Sequence, residues 1–588
     1  MSNSRDVHSF AEPWRVRVDH CALKLEVDFA RRQLRGTADL RLVRNDSHAP
    51  LILDSRDLSI EQIHSGGHPV PYELGDRDPI LGGPLMVHLP DTARNVTVRY
   101  TTAPGASGLQ WLNPEQTADK KHPFLFSQSQ SIHARSWIPI QDSPGVRVTY
   151  EAQIKIPAEL QAVMSAERVK TDRGWHFFRM DFPVPPYLIA LAVGDIDYAP
   201  LGPRSGIYAE KTLLKIAARE FEDTEKLIDA VEHLYGPYRW GRYELLVLPP
   251  SFPFGGMENP VVTFATPTVI AGDKSLVSLV SHELAHSWSG NLVTNATWRD
   301  FWLNEGFTTY IENRIQEEVY GLEQALMEQV LDRREIEKLL SELESRDQIL
   351  HIDLSGRDPD DGCTRVPYVK GALLVRQMEL AFGRGKFDAF LRSYFEHFKF
   401  QSITTATALD FIRRELFDRF PEKAKSIPLD EWVFEPGLPD SAPRSRSERL
   451  EEVSGLAKRW AANEMPASAI NTAGWNTQQW LEFLQVLPRP LGAAKMADLD
   501  AAFRLTQTGN FEILDEWLVR VIEDRYEPAF PRLEEFLLTV GRMKLIRPLY
   551  SGLMKTTEGQ EKAREIYAKA RPLYHPIAQT AVDKIVRA

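Results

Sequence analysis

Residues 282–286 read His-Glu-Leu-Ala-His, and after eighteen intervening residues an acid, Glu305, stands in Trp302-Leu-Asn-Glu-Gly306. No other feature constrains the fold as much. On a helix, positions i and i+4 share a face, so His282 and His286 can offer two imidazoles to one ion. Glu283 points to a neighbouring part of the surface, where it can reach a water at that ion without being a ligand. A catalytic zinc needs a third protein ligand and one open position. Glu305 begins a second helical pattern and is expected to be that ligand, which requires the two helices to pack together. Two histidines on a polar helix face are the plain alternative for the five residues alone. The addition of Glu305 at the start of a helix argues against it.

The periodicity of the chain changes along its length. From about 15 to 200 it alternates with period two, as in Leu23, Leu25, Val27 and Phe29, and again in Val146, Val148, Tyr150, Ala152, Ile154 and Ile156. One wet and one buried face result, as in a sandwich or saddle-shaped β domain. Beyond about 205, helical patterns run over Ala218–Tyr235, Lys274–Trp288, Asn304–Tyr320 and Gly371–Phe382, with a short strand at Leu245–Leu248. The segment Pro436-Gly-Leu-Pro-Asp-Ser-Ala-Pro443, then Arg444-Ser-Arg-Ser447, reads as a linker. Short helices follow to the end, as in stacked helical hairpins. At 588 residues the chain needs several cores. The expected division is 1–202, 203–436, a linker over 437–447, and 448–588.

A formal net charge of −12 argues against nucleic-acid binding. Two cysteines, Cys21 and Cys363, build no disulfide framework. The first residues contain no apolar stretch of signal-peptide length, and the most apolar run, Tyr187–Val193, is too short to cross a bilayer. The expectation is a soluble cytoplasmic protein, monomeric, with no membrane or nucleic-acid partner.

The His-Glu-x-x-His motif, eighteen residues and a Glu resemble the signature of the gluzincin peptidases, in particular family M1. Gly255-Gly-Met-Glu-Asn259 resembles that family's exopeptidase loop, in which the acid, here Glu258, recognises the substrate α-amine. An ammonium taken into a cleft needs such a partner, because an unpaired buried charge is costly. The stretch Leu248–Tyr310 is similar to the leukotriene A(4) hydrolase branch and its bacterial aminopeptidase relatives. So are Ser127-Gln-Ser-Gln130, Val366-Pro-Tyr-Val-Lys-Gly371 and Gly541-Arg-Met-Lys-Leu-Ile-Arg-Pro548.

The resemblance spans the chain and implies a multidomain α+β protein. Its parts would be an N-terminal saddle-like β domain, a thermolysin-like, mostly helical catalytic domain and a C-terminal α-helical, armadillo-like domain. It implies one zinc per chain on His282, His286 and Glu305, with Glu283 as general base and Tyr368 as donor to the oxyanion. The substrate amine would meet Gln130 and Glu258 within the loop formed by Gly255, Gly256, Met257 and Asn259. Asp360 would lie near the first side-chain pocket, with a turn aspartate as the competing reading. Arg542 and Lys544 would hold the far carboxylate of a short peptide, most favourably a tripeptide, whereas Arg547 is left undecided. Glu312, two turns after Glu305, is either an acceptor for a zinc histidine or a solvated helix residue.

In the mammalian epoxide hydrolase of this branch a second tyrosine lies five positions before the catalytic one, and here that position is Cys363. Peptide cleavage does not need it. The expected function is therefore a zinc aminopeptidase acting on short peptides. The alternatives are a bifunctional enzyme that also opens a fatty-acid epoxide and a non-catalytic helical scaffold. The ligand spacing generates the first test. Purified protein should carry one zinc per chain by elemental analysis, and His282→Ala, His286→Ala or Glu305→Ala should each lose it. Active protein free of any transition metal would refute the assignment.

Overall fold

The computed structural model describes residues 5–587. An eight-stranded mixed sheet forms the N-terminal region, with Val16–Asp28 at its middle. That strand runs parallel to Val148–Lys155, pairing Leu23 with Ala152 and Leu25 with Ile154, and antiparallel to Gln33–Arg44. In Val148–Lys155 the alternation is realised as read: Val148, Tyr150, Ala152 and Ile154 are buried and the residues between them are wetter. A separate four-stranded sheet contains Leu191–Gly194 and Phe124–Ser127. The second of these strands delivers the Ser127–Gln130 loop to Met257, whose sulfur accepts from Gln128.

A five-stranded sheet opens the catalytic region, in the order Asp197–Pro200, Ser205–Ala209, Tyr243–Val247, Val262–Ala265, Gly256–Met257. The first two strands form one hairpin. A division at 202/203 therefore falls in the turn between two strands of a single sheet, and the catalytic unit extends back to about Asp197. The last strand is the exopeptidase-like loop, folded back as an edge with Met257 opposite Phe264.

The helices follow the sequence pattern with two corrections. Ala218–Tyr235 is not one helix: α1 (Lys211–Glu220) and α2 (Thr224–Tyr235) are separated at Phe221–Asp223, where the Asp223 carboxylate is drawn into ion pairs with Lys226 and Lys274. The metal-motif helix, α3 (Ser278–Ala285), is shorter than Lys274–Trp288. Before it, the Glu220 carboxylate accepts from the N–H groups of Ala271, Gly272 and Lys274 and holds a turn. After it, the chain folds back sharply, with Asn291 N–H bonded to the His286 carbonyl. Then come α4 (Trp302–Tyr320), α5 (Leu322–Glu342) and, behind a π-helical turn at Val366–Lys370, α6 (Gly371–Phe382).

Eight α-helices, from Glu448–Ala461 to Pro576–Val586, complete the described chain around a second hydrophobic core. Apart from the first pair, they pack mainly onto every second helix: Thr477–Val486 on Phe511–Asp524, that helix on Met543–Leu553, and that one on Pro576–Val586, a layered stack in keeping with the helical C-terminal domain expected. The segment before them is not a free tether. Arg333 donates to the Pro443 carbonyl, Ser445 to Gln329 and Ser447 to Glu323, so it is strapped along α5. The C-terminal helices also touch the catalytic loops through backbone: Gly541 N–H bonds the Pro250 carbonyl and Met543 N–H that of Pro253, both at 2.9 Å. No helix of the described residues is long and apolar enough to cross a membrane.

The helices α4 and α6 cross at Gly306 and Gly371. A Cβ placed on either would stand 2.7 Å from the other's Cα, so only glycine fits. Gly306→Ala should therefore destabilise the catalytic unit by about 1–2 kcal/mol, an overpacking cost larger than the helix-propensity gain of alanine. Thermal unfolding would measure it, and an unchanged or raised Tm would show that the helices separate without cost.

Candidate metal centre and peptide cleft

The residues of the motif converge. His282 and His286 on α3 and Glu305 in the first turn of α4 each present one ligand atom, all within 4.8 Å of one another. The two Nε2 atoms lie 3.2 Å apart, and Glu305 Oε2 lies 3.3 Å and 3.4 Å from them. Ligands 2.0–2.1 Å from a tetrahedral zinc stand about 3.3 Å apart, so these spacings suit that ion.

The outer nitrogens are taken. His282 Nδ1 is 2.9 Å from Glu312 Oε2, which settles Glu312 as a partner of this histidine rather than a solvated residue. His286 Nδ1 donates to the Ser289 carbonyl at 2.8 Å and stands 3.1 Å from Thr308 Oγ1. With both Nδ1 atoms so occupied, both Nε2 lone pairs face the common point. Glu305 Oε2 is buried there without a hydrogen-bond donor. Two imidazole lone pairs and a carboxylate oxygen aimed at one locus fit a divalent cation.

The charge balance agrees. Burial disfavours charge on His282, yet Glu305 and Glu312 outweigh it and hold its pKa well above the ordinary value. Burial is likewise overcome at His286, which Glu258 and Glu305 push up to about 9. Glu305 is brought down to about 2 by His286 and His282 against its own burial. Glu283 behaves differently: burial pushes it up to about 8, with the two histidines opposing and Glu258 and Glu305 reinforcing the rise. The pocket holds an excess of carboxylate that a cation would balance.

Glu283 is seated by a glycine. A Cβ on Gly256 would stand 2.3 Å from Glu283 Oε1 and 2.5 Å from its Cδ. The second glycine of the loop thus makes room for Glu283, a task different from the substrate contact its motif implies. Glu258 is buried beside them and its pKa is raised by burial, with His286 opposing; its Oε1 has no partner. Its carbonyl accepts from Asn291 Nδ2 at 2.8 Å, which ties the loop to the turn after α3. Met257 receives a hydrogen bond at sulfur from Gln128, and Asn259 is buried with a free Nδ2.

Tyr368 comes from the π-helical turn, a distortion frequent at functional sites. Its ring stacks on His282 with centroids 5.8 Å apart, meets Phe301 edge-on, and lies under the Arg365 guanidinium. Burial lifts its pKa well above that of a free phenol, with Glu305 adding to the effect, so the hydroxyl keeps its proton. Gln130 is half-buried on its loop. Asp360 accepts from Ser131 N–H at 3.3 Å and lies 3.1 Å from His133 Nε2. The cap of its short helix is Asp358, so Asp360 braces the Gln130 loop and the turn-aspartate reading belongs to its neighbour. Cys363 lies 3.8 Å from Ser131 Oγ, and burial keeps its thiol neutral.

The basic segment reaches the same cleft. A Cβ on Gly255 would come within 3.0 Å of Arg542 Nη2. Arg542 is buried, whereas Lys544 and Arg547 are exposed. Arg542 Nη1 and Lys544 Nζ both bond Glu512, at 2.7 Å and 2.8 Å. Glu512, Thr308, Asn291 and Gln128 were not singled out by the sequence reading. Of these, Thr308, one turn after Glu305 on its helix, and Gln128, inside the Ser127–Gln130 motif, carried a local signal.

Fold and site together define a metallopeptidase with a two-histidine, one-glutamate centre. Comparison with known proteins agrees along the chain. Residues 17–188 match the peptidase M1 N-terminal domain, 219–432 the peptidase family M1 domain and 475–586 the leukotriene A4 hydrolase C-terminal domain. A leucine aminopeptidase 2 from Yarrowia lipolytica is 39% identical over 95% of this chain and 90% of its own length. A leukotriene A-4 hydrolase from Xenopus laevis is 38% identical over 98% of each. A solved yeast LTA4 hydrolase in complex with bestatin superposes with a TM-score of 0.93 at 32% identity, covering 100% of this chain and 98% of that one. The chain belongs to peptidase family M1, and within it carries the C-terminal domain of the leukotriene A4 hydrolase type. It is a zinc metalloenzyme that hydrolyses peptide bonds.

The Gly256 contact can be tested directly. Gly256→Ala should retain zinc while kcat falls about a hundredfold, since displacing a catalytic group by about 1 Å costs that much. Undiminished kcat would mean that Glu283 acts from another position.

Proposed function

We propose that the chain removes the N-terminal residue from short peptides, tripeptides above all, with Zn2+ held by His282, His286 and Glu305. The observation that supports this most is Glu258. It is a buried carboxylate with an unpartnered oxygen, grouped with Glu283 and His286 within 4.8 Å, where a substrate ammonium can pair with it.

When bound, zinc supplies a Lewis acid that lowers the pKa of water and polarises a carbonyl. The protein's own groups do the rest. Glu258 and Gln130 hold the α-amine and set the first peptide bond at the centre. Glu283 accepts the proton of the attacking water and passes it to the leaving amine. The Tyr368 hydroxyl, protonated at working pH, donates to the oxygen on which charge develops, an interaction stronger in the transition state than in the ground state. Arg542 and Lys544 receive the carboxylate at the far end of the peptide, which limits its length. The cleft is closed by the chain's own C-terminal helices, so a monomer suffices. Two free thiols accord with a reducing compartment, which supports a cytoplasmic location.

The test compares a free tripeptide with its N-acetylated form. Wild type should cleave the first and leave the second essentially uncut, and Glu283→Gln should keep its zinc while losing nearly all turnover. Efficient cleavage of the blocked peptide would make the enzyme an endopeptidase.

A further inference from the structure

The basic wall of the cleft already holds a carboxylate, and it belongs to the same chain. Glu512 lies in the first turn of the helix Phe511–Asp524, whose cap, Asn510, accepts from the backbone N–H groups of Glu512 and Ile513. Both of its oxygens are engaged: Oε1 by Arg542 Nη1 at 2.7 Å, Oε2 by Lys544 Nζ at 2.8 Å. Thr268 Oγ1 takes a second bond from the same Nη1 at 3.1 Å. Arg542 Nε is sealed from solvent without a partner, which leaves Nη2, on the Gly255 side, as the guanidinium nitrogen open to a ligand. Glu512 and Arg542 are both buried, at 6% and 7% exposure, so their charges act on each other with little screening.

We propose that Glu512 is a specificity-determining positioning residue. It is an internal carboxylate that orients Arg542 and Lys544 and weakens their hold on the C-terminal carboxylate of substrate and product. This rests on the reading that the wall receives that carboxylate.

Among these three groups, two cations and one anion leave one net positive charge, where Arg542 and Lys544 alone would carry two. An arriving carboxylate gains the Nη2 edge of Arg542 and a share of Lys544, and is repelled by Glu512 beside them. The same carboxylate remains on the dipeptide left after the first residue is removed. A wall with both charges free would retain that product, and one with none would not select free acids. Glu512 stays ionised throughout the working range: burial would raise its pKa, but Lys544 and Arg542 bring it down to about 2.

The test measures KM and kcat for a tripeptide acid and its C-terminal amide, together with inhibition by the dipeptide acid. The proteins are wild type, Glu512→Gln, Glu512→Asp and Arg542→Ala. In Glu512→Gln the preference for acid over amide in KM should rise roughly tenfold, the dipeptide acid should inhibit more tightly by a similar factor, and kcat for the acid should fall as release slows. Glu512→Asp, with its charge withdrawn by one methylene, should move the same way by less. A purely structural role would weaken acid and amide alike. An acid preference that stays the same or drops in Glu512→Gln overturns the proposal. If that variant does not fold, the same outcome in Glu512→Asp overturns it. Arg542→Ala separates the two readings: if neither it nor wild type distinguishes acid from amide, the wall does not bind the substrate carboxylate at all.

Discussion

Two helix backbones touch at Gly306 and Gly371, and the catalytic geometry depends on that contact. Glu305 immediately precedes one glycine, and Tyr368 stands three residues before the other. With no side chain between α4 and α6, the carboxylate from α4 and the phenol from the π-helical turn leading into α6 both reach His282. The third contributor, α3, is fixed to α4 as well. Ser289, in the turn after it, donates to the carbonyls of Leu303 and Asn304 at 2.9 Å and 3.0 Å. Three elements distant in sequence are thus held by backbone proximity and short hydrogen bonds, before any ion enters.

Buried charge is treated the same way at both ends of the cleft. At the centre, desolvated carboxylates surround two imidazoles whose outer nitrogens are fixed by Glu312 and Ser289. At the far wall, a desolvated guanidinium is matched by Glu512. Leaving any of these ions alone would be expensive, so each is paired, and the pairing also fixes its direction. Glu305 and Glu258 are exceptions: each keeps one buried oxygen without a hydrogen-bond partner among the described residues, that of Glu305 facing the two imidazoles.

The sequence disclosed what depends on local spacing. The i, i+4 histidines, the period-two strands around Val148–Lys155 and the helix Gly371–Phe382 all follow from side-chain periodicity, and the structure contains them. It disclosed less where long-range contacts decide. The turn before α3 is set by Glu220, more than fifty residues upstream, so the helix starts later than its amphipathic pattern suggests. The hairpin that crosses residue 202 pairs strands whose sheet partners lie some forty residues on. Gly256 reads as part of a loop motif, and its steric debt to Glu283 appears only when the edge strand lies over α3. Glu512 belongs to no motif, being an ordinary first-turn acid until the Gly541–Lys544 segment folds against it.

The seam between the C-terminal helices and the catalytic loops runs through main-chain atoms at Gly541 and Met543, bonded to the carbonyls of Pro250 and Pro253. Such bonds use no side-chain atoms, though position 541 itself must be glycine, since a Cβ there would stand 2.7 Å from the Ser251 carbonyl oxygen. The outer helices can therefore change side chains on their solvent faces without breaking these two bonds. Cleft depth is then fixed by main-chain contacts, and a few side chains at the rim can be exchanged while the architecture stays put.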